Sequence, residues 1–300
     1  MRLLRAVPKF AVTRGCWHKA PARLFIERSC AMSVPDHLDE WVDHRHFEEI
    51  DSTQSYVERE HHHFNQEKLT AISADYQFAG RGTGSRAWHA VKAQSVIVSF
   101  FFRFPPELAD GFVNSNAPNV TKVLAVSAVD TLHWALDTRT FGIKWPNDIV
   151  TEGCKIGGIL ARAVPLRGRL DGIIVGIGIN VNTSPEDLHA ISRPVWPATS
   201  LMALAGRDFD VASIRQRLMC AFSAELKRFF YGGFPAFRDR VNGMEVLLGT
   251  EVWFRVHDAQ DAFQCVFEGI QEDGLILLRM PSGEVQALPS GEIVQPPSPG

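Results

Sequence analysis

The stretch "FGIKWPNDIV", residues 141–150, decides the fold. It begins as a buried β-strand, because the apolar residues Phe141, Ile143 and Trp145 alternate with Gly142 and Lys144. A proline and two polar side chains, "PND", then follow directly, although proline is rarely found inside a central strand. So many polar groups beside a buried strand indicate a ligand site at the end of that strand.

The length and composition of the chain are those of a soluble, globular protein. It has 300 residues, of which 45% are hydrophobic, enough for one large domain or for one large and one small domain. The longest apolar runs are "SVIVSFFF" (95–102) and "GIIVGIGINV" (172–181). Both have the length of a strand and fall well short of the roughly 20 residues that span a bilayer, so we expect no membrane partner.

Charge is distributed unevenly between the N-terminus and the rest of the chain. Residues 1–34 contain seven basic side chains and one acid, and the remainder has 24 basic and 33 acidic residues, a formal charge of −9. An acidic body argues against sequence-independent nucleic-acid binding, which needs a basic face. The basic N-terminus is typical of a transit peptide; the alternative is a disordered leader with Met32 as a downstream start. We therefore expect residues 1–40 to lie outside the fold, and a mitochondrial or cytoplasmic protein.

Cysteine and histidine patterns predict no metal site and no disulfide framework. The five cysteines are widely spaced with no C-x-x-C pair, which is typical of a reducing compartment. Three histidines are adjacent in "HHHFN" (61–65), but consecutive residues on a helix point in different directions. A metal ion shared by these histidines is therefore not expected.

Hydrophobic periodicity predicts a larger α+β domain over 41–243 and a small β-barrel over 244–295. The predicted strands cover 46–50, 69–77, 94–104, 155–164 and 170–182, and the predicted helices cover about 51–63, 119–136 and 210–231. The short loop "PLRGR" between the last two strands of the larger domain indicates an antiparallel pair. From residue 245 the sequence pattern changes to one of short strands between turns.

A glycine-rich loop, "FAGRGTGSRAW" (78–88), follows the second predicted strand. Gly80, Gly82 and Gly84 would let the backbone approach a ligand, while Arg81 and Arg86 supply positive charge for a phosphate or carboxylate. The loop matches neither the P-loop pattern nor a dinucleotide fingerprint. Taken alone, it is a weak signal.

Two lysines and two asparagines lie near the predicted strand ends. Lys144 and Lys155 flank the strand turn, and an ammonium group near apolar neighbours is costly unless it meets an anion. Lys155 before "IGGIL" is therefore expected to meet a carboxylate or phosphate. The alternative is that the aliphatic part of the lysine side chain lies along the sheet while its ammonium group is in water. Asn147 and Asn180 suit a purine edge, and Asp148 suits magnesium beside phosphates. The alternative for Asn180 is an Asx turn that ends a strand.

The motifs "DSTQ", "AGRGTGSRAW", "KWPND", "KIGGIL" and "GIGINVN" together resemble the catalytic domain of biotin protein ligases (holocarboxylase synthetases). The resemblance covers about residues 46–293, and the last fifty of these look like the small barrel of that family. It implies an α+β fold of the class II synthetase-like biotin/lipoate ligase type. In that fold helices pack on a mixed, largely antiparallel sheet, and a small C-terminal Src-homology-3-like β-barrel follows.

The resemblance also implies a reaction and its participants. ATP and biotin, with Mg²⁺, would give biotinyl-5′-AMP, and the biotinyl group would then pass to a lysine on the carrier domain of acetyl-CoA carboxylase or a related carboxylase. Members of the family pair through a sheet edge, so a homodimer is possible. The N-terminal forty residues show no winged-helix pattern, and we expect neither nucleic-acid binding nor repressor activity.

Site residues follow from the resemblance by position. The implied catalytic cations are Lys155, Arg81 and Arg86. The implied biotin site draws on the first helix, the glycine-rich loop and two strands: Ser52, Thr53, Gln54, Gln77, Gly80, Arg81, Gly82, Thr83, Trp88, Lys155, Gly157 and Gly178. The implied nucleotide site consists of Lys144, Asn147, Asp148, Asn180 and Arg86, with Asp148 also a weak candidate for Mg²⁺.

Some positions depart from the family pattern, and other functions stay open. Bacterial relatives typically carry arginines at Thr83 and Gly84, and fewer loop cations would hold an adenylate less tightly. Gln54 replaces the usual asparagine and is one methylene longer, which puts its contact with biotin in doubt. Trp88 and Trp145 fit either ligand stacking or the core. The alternatives are a lipoate or octanoate ligase of the same fold, or a non-catalytic biotin-binding protein.

Overall fold

The computed structural model describes residues 37–84, 86–166, 169–190, 196–257, 259 and 261–294. Most of the predicted leader, residues 1–36, lies outside these ranges. Among the described residues, no helix combines the length and the apolar character that crossing a membrane requires.

A seven-stranded sheet forms the centre of the molecule. Its strands are β1 (Val42–Ile50), β2 (Leu69–Gln77), β3 (Ser95–Phe102), β4 (Phe141–Lys144), β5 (Asp148–Thr151), β6 (Cys154–Leu166) and β7 (Arg169–Asn180). The spatial order is β1-β2-β3-β7-β6-β5-β4, with β1 and β2 parallel and all other neighbours antiparallel. The predicted mixed, largely antiparallel α+β fold is confirmed.

Helices cover both faces of this sheet. They are α1 (Thr53–Glu60), α2 (Asp110–Asn116), α3 (Val120–Ala135), α4 (Pro185–Ala190), α5 (Leu201–Ala205), α6 (Val211–Gly232) and α7 (Arg238–Met244). Phe100 of β3 meets Phe222 of α6 on one face, with ring centroids 4.6 Å apart. On the other face, Phe101 joins Val57 of α1 and Ile174 of β7 in a second buried cluster. Successive side chains of β3 thus enter different cores, which explains why "SVIVSFFF" is apolar throughout.

Several predicted boundaries were wrong by a few residues. The first helix ends at Glu60, and His61–His63 form a separate 3-10 turn. The first strand begins at Val42, before the predicted start at 46, and residues 246–249 form a turn ahead of the C-terminal strands. The short helices α2, α4, α5 and α7 were not predicted, because five to seven residues contain too few turns to show a helical period.

The C-terminal strands form a second, antiparallel sheet of five strands. They are β8 (Glu251–Arg255), β9 (Phe263–Ile270), β10 (Ile276–Arg279), β11 (Val285–Leu288) and β12 (Glu292–Val294), in the order β11-β10-β9-β8-β12. This arrangement is consistent with the predicted small barrel. α7 ends next to the predicted boundary at 243–244, and the apolar core runs without a break from the large sheet into the small one.

Candidate functional site

A pocket lies beside strands β3, β6 and β7, under the glycine-rich loop. Eleven of the predicted site residues line it: Ser52, Thr53, Gln54, Gln77, Arg81, Gly82, Thr83, Trp88, Asn147, Lys155 and Gly178. Six predicted site residues lie outside this lining: Gly80, Arg86, Lys144, Asp148, Gly157 and Asn180. The fold therefore gathers into one place residues that are up to 126 positions apart in the chain, from Ser52 to Gly178.

The N-terminus of α1 builds a polar end of the pocket. Ser52 caps the helix, since its hydroxyl accepts the backbone N–H of Ser55 at 3.4 Å. The backbone N–H of Thr53 donates to the Gln77 Oε1 atom at 2.7 Å, and its hydroxyl lies 2.8 Å from that of Ser99. Helix α1 and strands β2 and β3 thus fix three hydrogen-bonding side chains side by side in the pocket wall.

Gln54 places a buried acceptor in the pocket. Its Nε2 atom donates to the backbone carbonyl of Leu160 at 2.7 Å, which fixes the orientation of the amide. Its Oε1 atom is buried and has no hydrogen-bond partner among the described residues. Leaving a buried acceptor unpaired costs about 1–3 kcal/mol, so this atom is placed to accept a hydrogen bond from a group that enters the pocket. The Gln54 side chain thereby reaches strand β6.

Strand glycines make room for Trp88. A Cβ atom on Gly178 would lie 2.3 Å from Cε2 of Trp88, so only glycine lets the indole lie against β7. The indole Nε1 is buried and has no partner among the described residues, so the pocket also holds an unsatisfied donor. Trp145 is different: it is 4% exposed and its ring lies 5.7 Å from that of Phe254, which assigns it to the core.

The glycine-rich loop folds as a small hairpin over the pocket. Arg81 and Ala87 form a β-bridge, and the N–H of Trp88 donates to the carbonyl of Gly80 at 3.0 Å. Gly84 has φ +67°, a conformation that side chains other than glycine rarely adopt. Arg86 is exposed, its Nε donates to the carbonyl of Thr83 at 3.0 Å, and it does not line the pocket in this structure.

Two lysines share one carboxylate at the rim of the pocket. The Lys155 Nζ atom lies 2.5 Å from Asp148 Oδ1, and the Lys144 Nζ atom lies 3.9 Å from Asp148 Oδ2. A Cβ atom on Gly158 would come within 3.1 Å of Lys155 Nζ, so the second glycine of "KIGG" clears the path of the ammonium group. Lys144 is buried, and desolvation lowers its pKa. Its Nζ atom lies 5.4 Å from the Trp196 ring centroid.

The two candidate adenine contacts lie in different surroundings. Asn147 lines the pocket, and its Nδ2 atom donates to the carbonyl of Ile159 at 2.6 Å and to the Thr83 hydroxyl at 3.0 Å. Asn180 is buried at the end of β7, where its Nδ2 atom donates to the carbonyl of Thr199 at 3.0 Å. Asn147 thereby ties the "KWPND" turn to the glycine-rich loop, and Asn180 fixes the segment that follows β7. Their contact with a nucleotide stays a prediction.

Two carboxylates near the site were missed by the sequence reasoning. Glu245 is buried, and its oxygens accept the backbone N–H of Trp145 at 3.0 Å and of Leu247 at 3.2 Å. Burial raises the pKa of Glu245 to about 8, opposed by those two N–H groups and by Lys144. Glu58 on α1 binds Arg81. Neither carboxylate belongs to a motif, and Glu245 contacts a residue 100 positions away, so no local signal identifies it.

Metal ligation is not a visible feature of this site. In the described ranges no group of three or more histidine, cysteine, aspartate or glutamate residues could hold a metal ion. Asp148, the predicted weak magnesium ligand, is occupied by two lysines.

Comparisons with known proteins agree with this geometry. The sequence profile of the biotin/lipoate A/B protein ligase family matches residues 46–180. The bifunctional ligase/repressor BirA of Bacillus subtilis is 32% identical over 214 residues, 71% of this chain and 62% of that protein. The biotin--[acetyl-CoA-carboxylase] ligase of Paracoccus denitrificans is 28% identical over 223 residues, 74% of this chain and 88% of that protein.

A solved structure extends the comparison to the fold. Biotin protein ligase from Aquifex aeolicus, in complex with biotin and ATP, superposes with a TM-score of 0.68 at 27% identity. The match covers 83% of this chain and 97% of that chain. The motifs, the pocket and these matches together show that residues 46–180 match the biotin/lipoate A/B protein ligase family and that the whole fold resembles a biotin protein ligase.

Proposed function

We propose that this protein is an ATP-dependent biotin protein ligase. It forms biotinyl-5′-AMP from biotin and ATP and then transfers the biotinyl group to a lysine of a carrier protein. The observation that carries the proposal is one pocket lined both by the uncharged hydrogen-bonding side chains of Thr53, Gln54 and Gln77 and by the Lys155 ammonium. Biotin has the matching form, since its ureido ring offers N–H and carbonyl groups and its tail ends in a carboxylate.

The first step joins two anions. A carboxylate oxygen of biotin attacks the α-phosphorus of ATP, the bond to the bridging oxygen breaks, and pyrophosphate leaves with the electron pair. Positive charge must offset the repulsion between carboxylate and triphosphate, and fixed cations do this best where water is excluded. Lys155 and Arg81 line the pocket and supply that charge. Arg86 joins them only if the loop changes its conformation, because here it faces solvent.

The second step transfers the acyl group. The neutral amine of the acceptor lysine attacks the acyl carbon of the mixed anhydride, the bond to the phosphate oxygen breaks, AMP leaves, and the amine loses a proton. Until the acceptor arrives, the anhydride needs protection from water. The hairpin over residues 80–88 covers the pocket and is the element placed to give that protection.

Magnesium would enter this site with the triphosphate. Mg²⁺ is commonly held by one or two carboxylates together with substrate phosphates. Asp148 is the carboxylate at the rim, and it already neutralises Lys155 and Lys144. The phosphates would therefore supply most of the ligands, with Asp148 as the protein ligand.

The acceptor is proposed to be the biotin carboxyl-carrier domain of acetyl-CoA carboxylase or a related carboxylase. The Paracoccus relative carries that substrate in its name, which supports the choice. We propose no nucleic-acid partner, on the acidic charge of residues 35–300. Strand β1 forms one edge of the large sheet and is where a homodimer would pair. A mitochondrial or cytoplasmic location remains our proposal from the basic N-terminus.

A lipoate or octanoate ligase of the same fold is the competing enzyme function. A dithiolane ring or an alkyl chain offers no hydrogen bonds, and it would leave the Gln54 oxygen and the Thr53 cluster facing an apolar ligand. A non-catalytic biotin-binding protein would have no use for the nucleotide site that the intact "KWPND" motif implies. Pyrophosphate exchange into ATP by the purified protein, with biotin and lipoate tested in parallel, separates the three functions. We expect exchange with biotin alone; exchange with lipoate alone, or with neither acid, would contradict the proposal.

A further inference from the structure

Glu58 binds two arginines from different elements at the mouth of the pocket. It lies on α1, one turn after Gln54. Its Oε2 atom is 3.0 Å from Arg81 Nη1, and its Oε1 atom is 3.1 Å from Arg162 Nη1. Arg81 belongs to the glycine-rich loop and lines the pocket, whereas Arg162 belongs to β6 and does not. One carboxylate therefore links a pocket cation to a cation outside the pocket.

The three side chains are partly open to solvent. Glu58 is 29% exposed, Arg81 41% and Arg162 50%. Ion pairs at this exposure are weak and are screened by salt, so each can change an equilibrium by at most about fivefold. Such a contact contributes little to folding, but it is strong enough to compete with a ligand for the same guanidinium.

We propose that Glu58 is a positioning residue that sets how tightly Arg81 holds the anionic groups of the bound adenylate. Arg162 is the second cation, which stays bound to Glu58 when Arg81 turns to the adenylate. The inference rests on the proposed function. A phosphate or carboxylate in the pocket competes with Glu58 for Arg81. When Arg81 turns toward that anion, Glu58 keeps Arg162 as a partner, so the exchange leaves no carboxylate unpaired.

Replacing Glu58 and replacing Arg162 are expected to change the release rate of the adenylate in opposite directions. Glu58→Gln removes the competitor of the adenylate, so Arg81 is free to hold the anion and release of the adenylate slows by about two- to fivefold. Arg162→Gln leaves Glu58 with Arg81 as its remaining partner in this cluster, so release speeds up by a similar factor. Because Arg162 acts through Glu58, the double variant behaves like Glu58→Gln.

The test measures the release rate of biotinyl-5′-AMP formed by the purified full chain, in the two single variants and in the double variant. Glu60→Gln is the matched control, since Glu60 lies on the same helix and has no ion pair with Arg81 or Arg162 among the described residues. Melting temperatures check that every variant folds. The differences are expected to shrink at high salt, which a purely structural effect would not do.

The outcomes separate this inference from the proposed function. Shifts of the same sign in Glu58→Gln and Arg162→Gln, or shifts no larger than that of Glu60→Gln, would overturn the role of Glu58 while leaving the ligase activity intact. A wild-type protein that forms no adenylate would contradict the proposed function itself, and the role of Glu58 would fall with it.

Discussion

The Lys155 ammonium and the Asp148 carboxylate lie 2.5 Å apart at the rim of the pocket. The contact depends on the pairing of β5 with β6, where a register shift between Ile149 and Val150 places Val150 opposite Lys155. The side chain of Lys155 is 30% exposed, so its charge remains available to an incoming anion. Both cations that line the pocket, Lys155 and Arg81, are therefore held by carboxylates in this structure.

Lys155 is the residue on which adenylation depends most in this account. Lys155→Ala removes a positioned charge from the reacting anions, and we expect a loss of about 10²- to 10³-fold in pyrophosphate exchange. Lys92→Ala is the control, because Lys92 is an exposed lysine that pairs with Glu49 away from the pocket. Both variants should keep the wild-type melting temperature within a few degrees. Unimpaired exchange by Lys155→Ala would remove Lys155 from its role.

Replacing Gly178 should weaken biotin binding. In Gly178→Ala the new methyl group would lie 2.3 Å from the Trp88 indole, so the ring must leave β7 and the pocket must change shape. We expect biotin affinity, measured by calorimetry, to fall roughly five- to 150-fold, since one misplaced group in a close-packed pocket costs about 1–3 kcal/mol.

Gly111→Ala supplies the control for that substitution. An added Cβ atom at Gly111 meets nothing within 4 Å, and the position lies in helix α2. Alanine favours a helix over glycine by about 0.5–1 kcal/mol, so this variant should bind biotin normally and be slightly more stable. Equal biotin affinities for the two alanine variants would show that Trp88 does not shape the pocket.

The Gln54 oxygen is expected to accept a hydrogen bond from the ring of biotin. Gln54→Leu keeps most of the volume and removes the acceptor, so biotin affinity should fall by about 1–3 kcal/mol, which is roughly five- to 150-fold. The KM for ATP should stay close to that of the wild type, because Gln54 contacts the ring of biotin in this account. A larger effect on ATP than on biotin would place Gln54 elsewhere in the reaction.

Glu245 should make stability depend on pH. Its pKa is raised from an unfolded value near 4.5 to about 8, so the folded protein binds the proton more tightly than the unfolded chain does. The resulting stability is fully present below pH 4.5 and is lost as the pH rises through 8. Between pH 6 and pH 8.5, the wild-type free energy of unfolding, measured with urea, should therefore fall by on the order of 2–3 kcal/mol relative to that of Glu245→Gln.

Comparing how the free energy of unfolding changes with pH in the wild type and in Glu245→Gln isolates the contribution of Glu245. Lys122 is buried and its pKa is lowered to about 8 by desolvation, so it titrates in the same range with the opposite sign. That contribution is common to the wild type and to Glu245→Gln, and it cancels in the difference. Parallel pH profiles of the two proteins would show that Glu245 stays ionised throughout, held by Trp145, Leu247 and Lys144.

The parts of the fold that the sequence predicted are those with a long, uniform pattern. Strands β3 and β7 are continuous apolar runs because both of their faces are covered, and α3 and α6 keep a helical period over 16 and 22 residues. The site was predictable where a motif holds its members close together, as in "DSTQ" and "KWPND". Glu58 and Glu245 were missed because tertiary packing alone brings them to Arg81 and Trp145.

The structure also separates residues that one motif places side by side. In "KWPND", Asn147 enters the pocket, Trp145 packs in the core, and Lys144 is buried beside Trp196. Lys144 ends β4, whereas residues 145–147 form the turn between β4 and β5, so neighbours in sequence diverge in space. The polar residues of "FGIKWPNDIV" thus serve one rim, as their density indicated, and its apolar residues anchor that rim to the core.

The most direct test of the central claim is transfer of biotin to protein. The purified full chain would be incubated with ATP, Mg²⁺, biotin and a biotin carboxyl-carrier domain, and the carrier mass would be measured, with a carrier whose acceptor lysine is replaced by arginine as control. We predict one biotinyl group on the intact carrier, none on the control, and none when lipoate replaces biotin. A carrier that stays unmodified while biotin binding is normal would contradict the account and would assign the pocket to a binding protein.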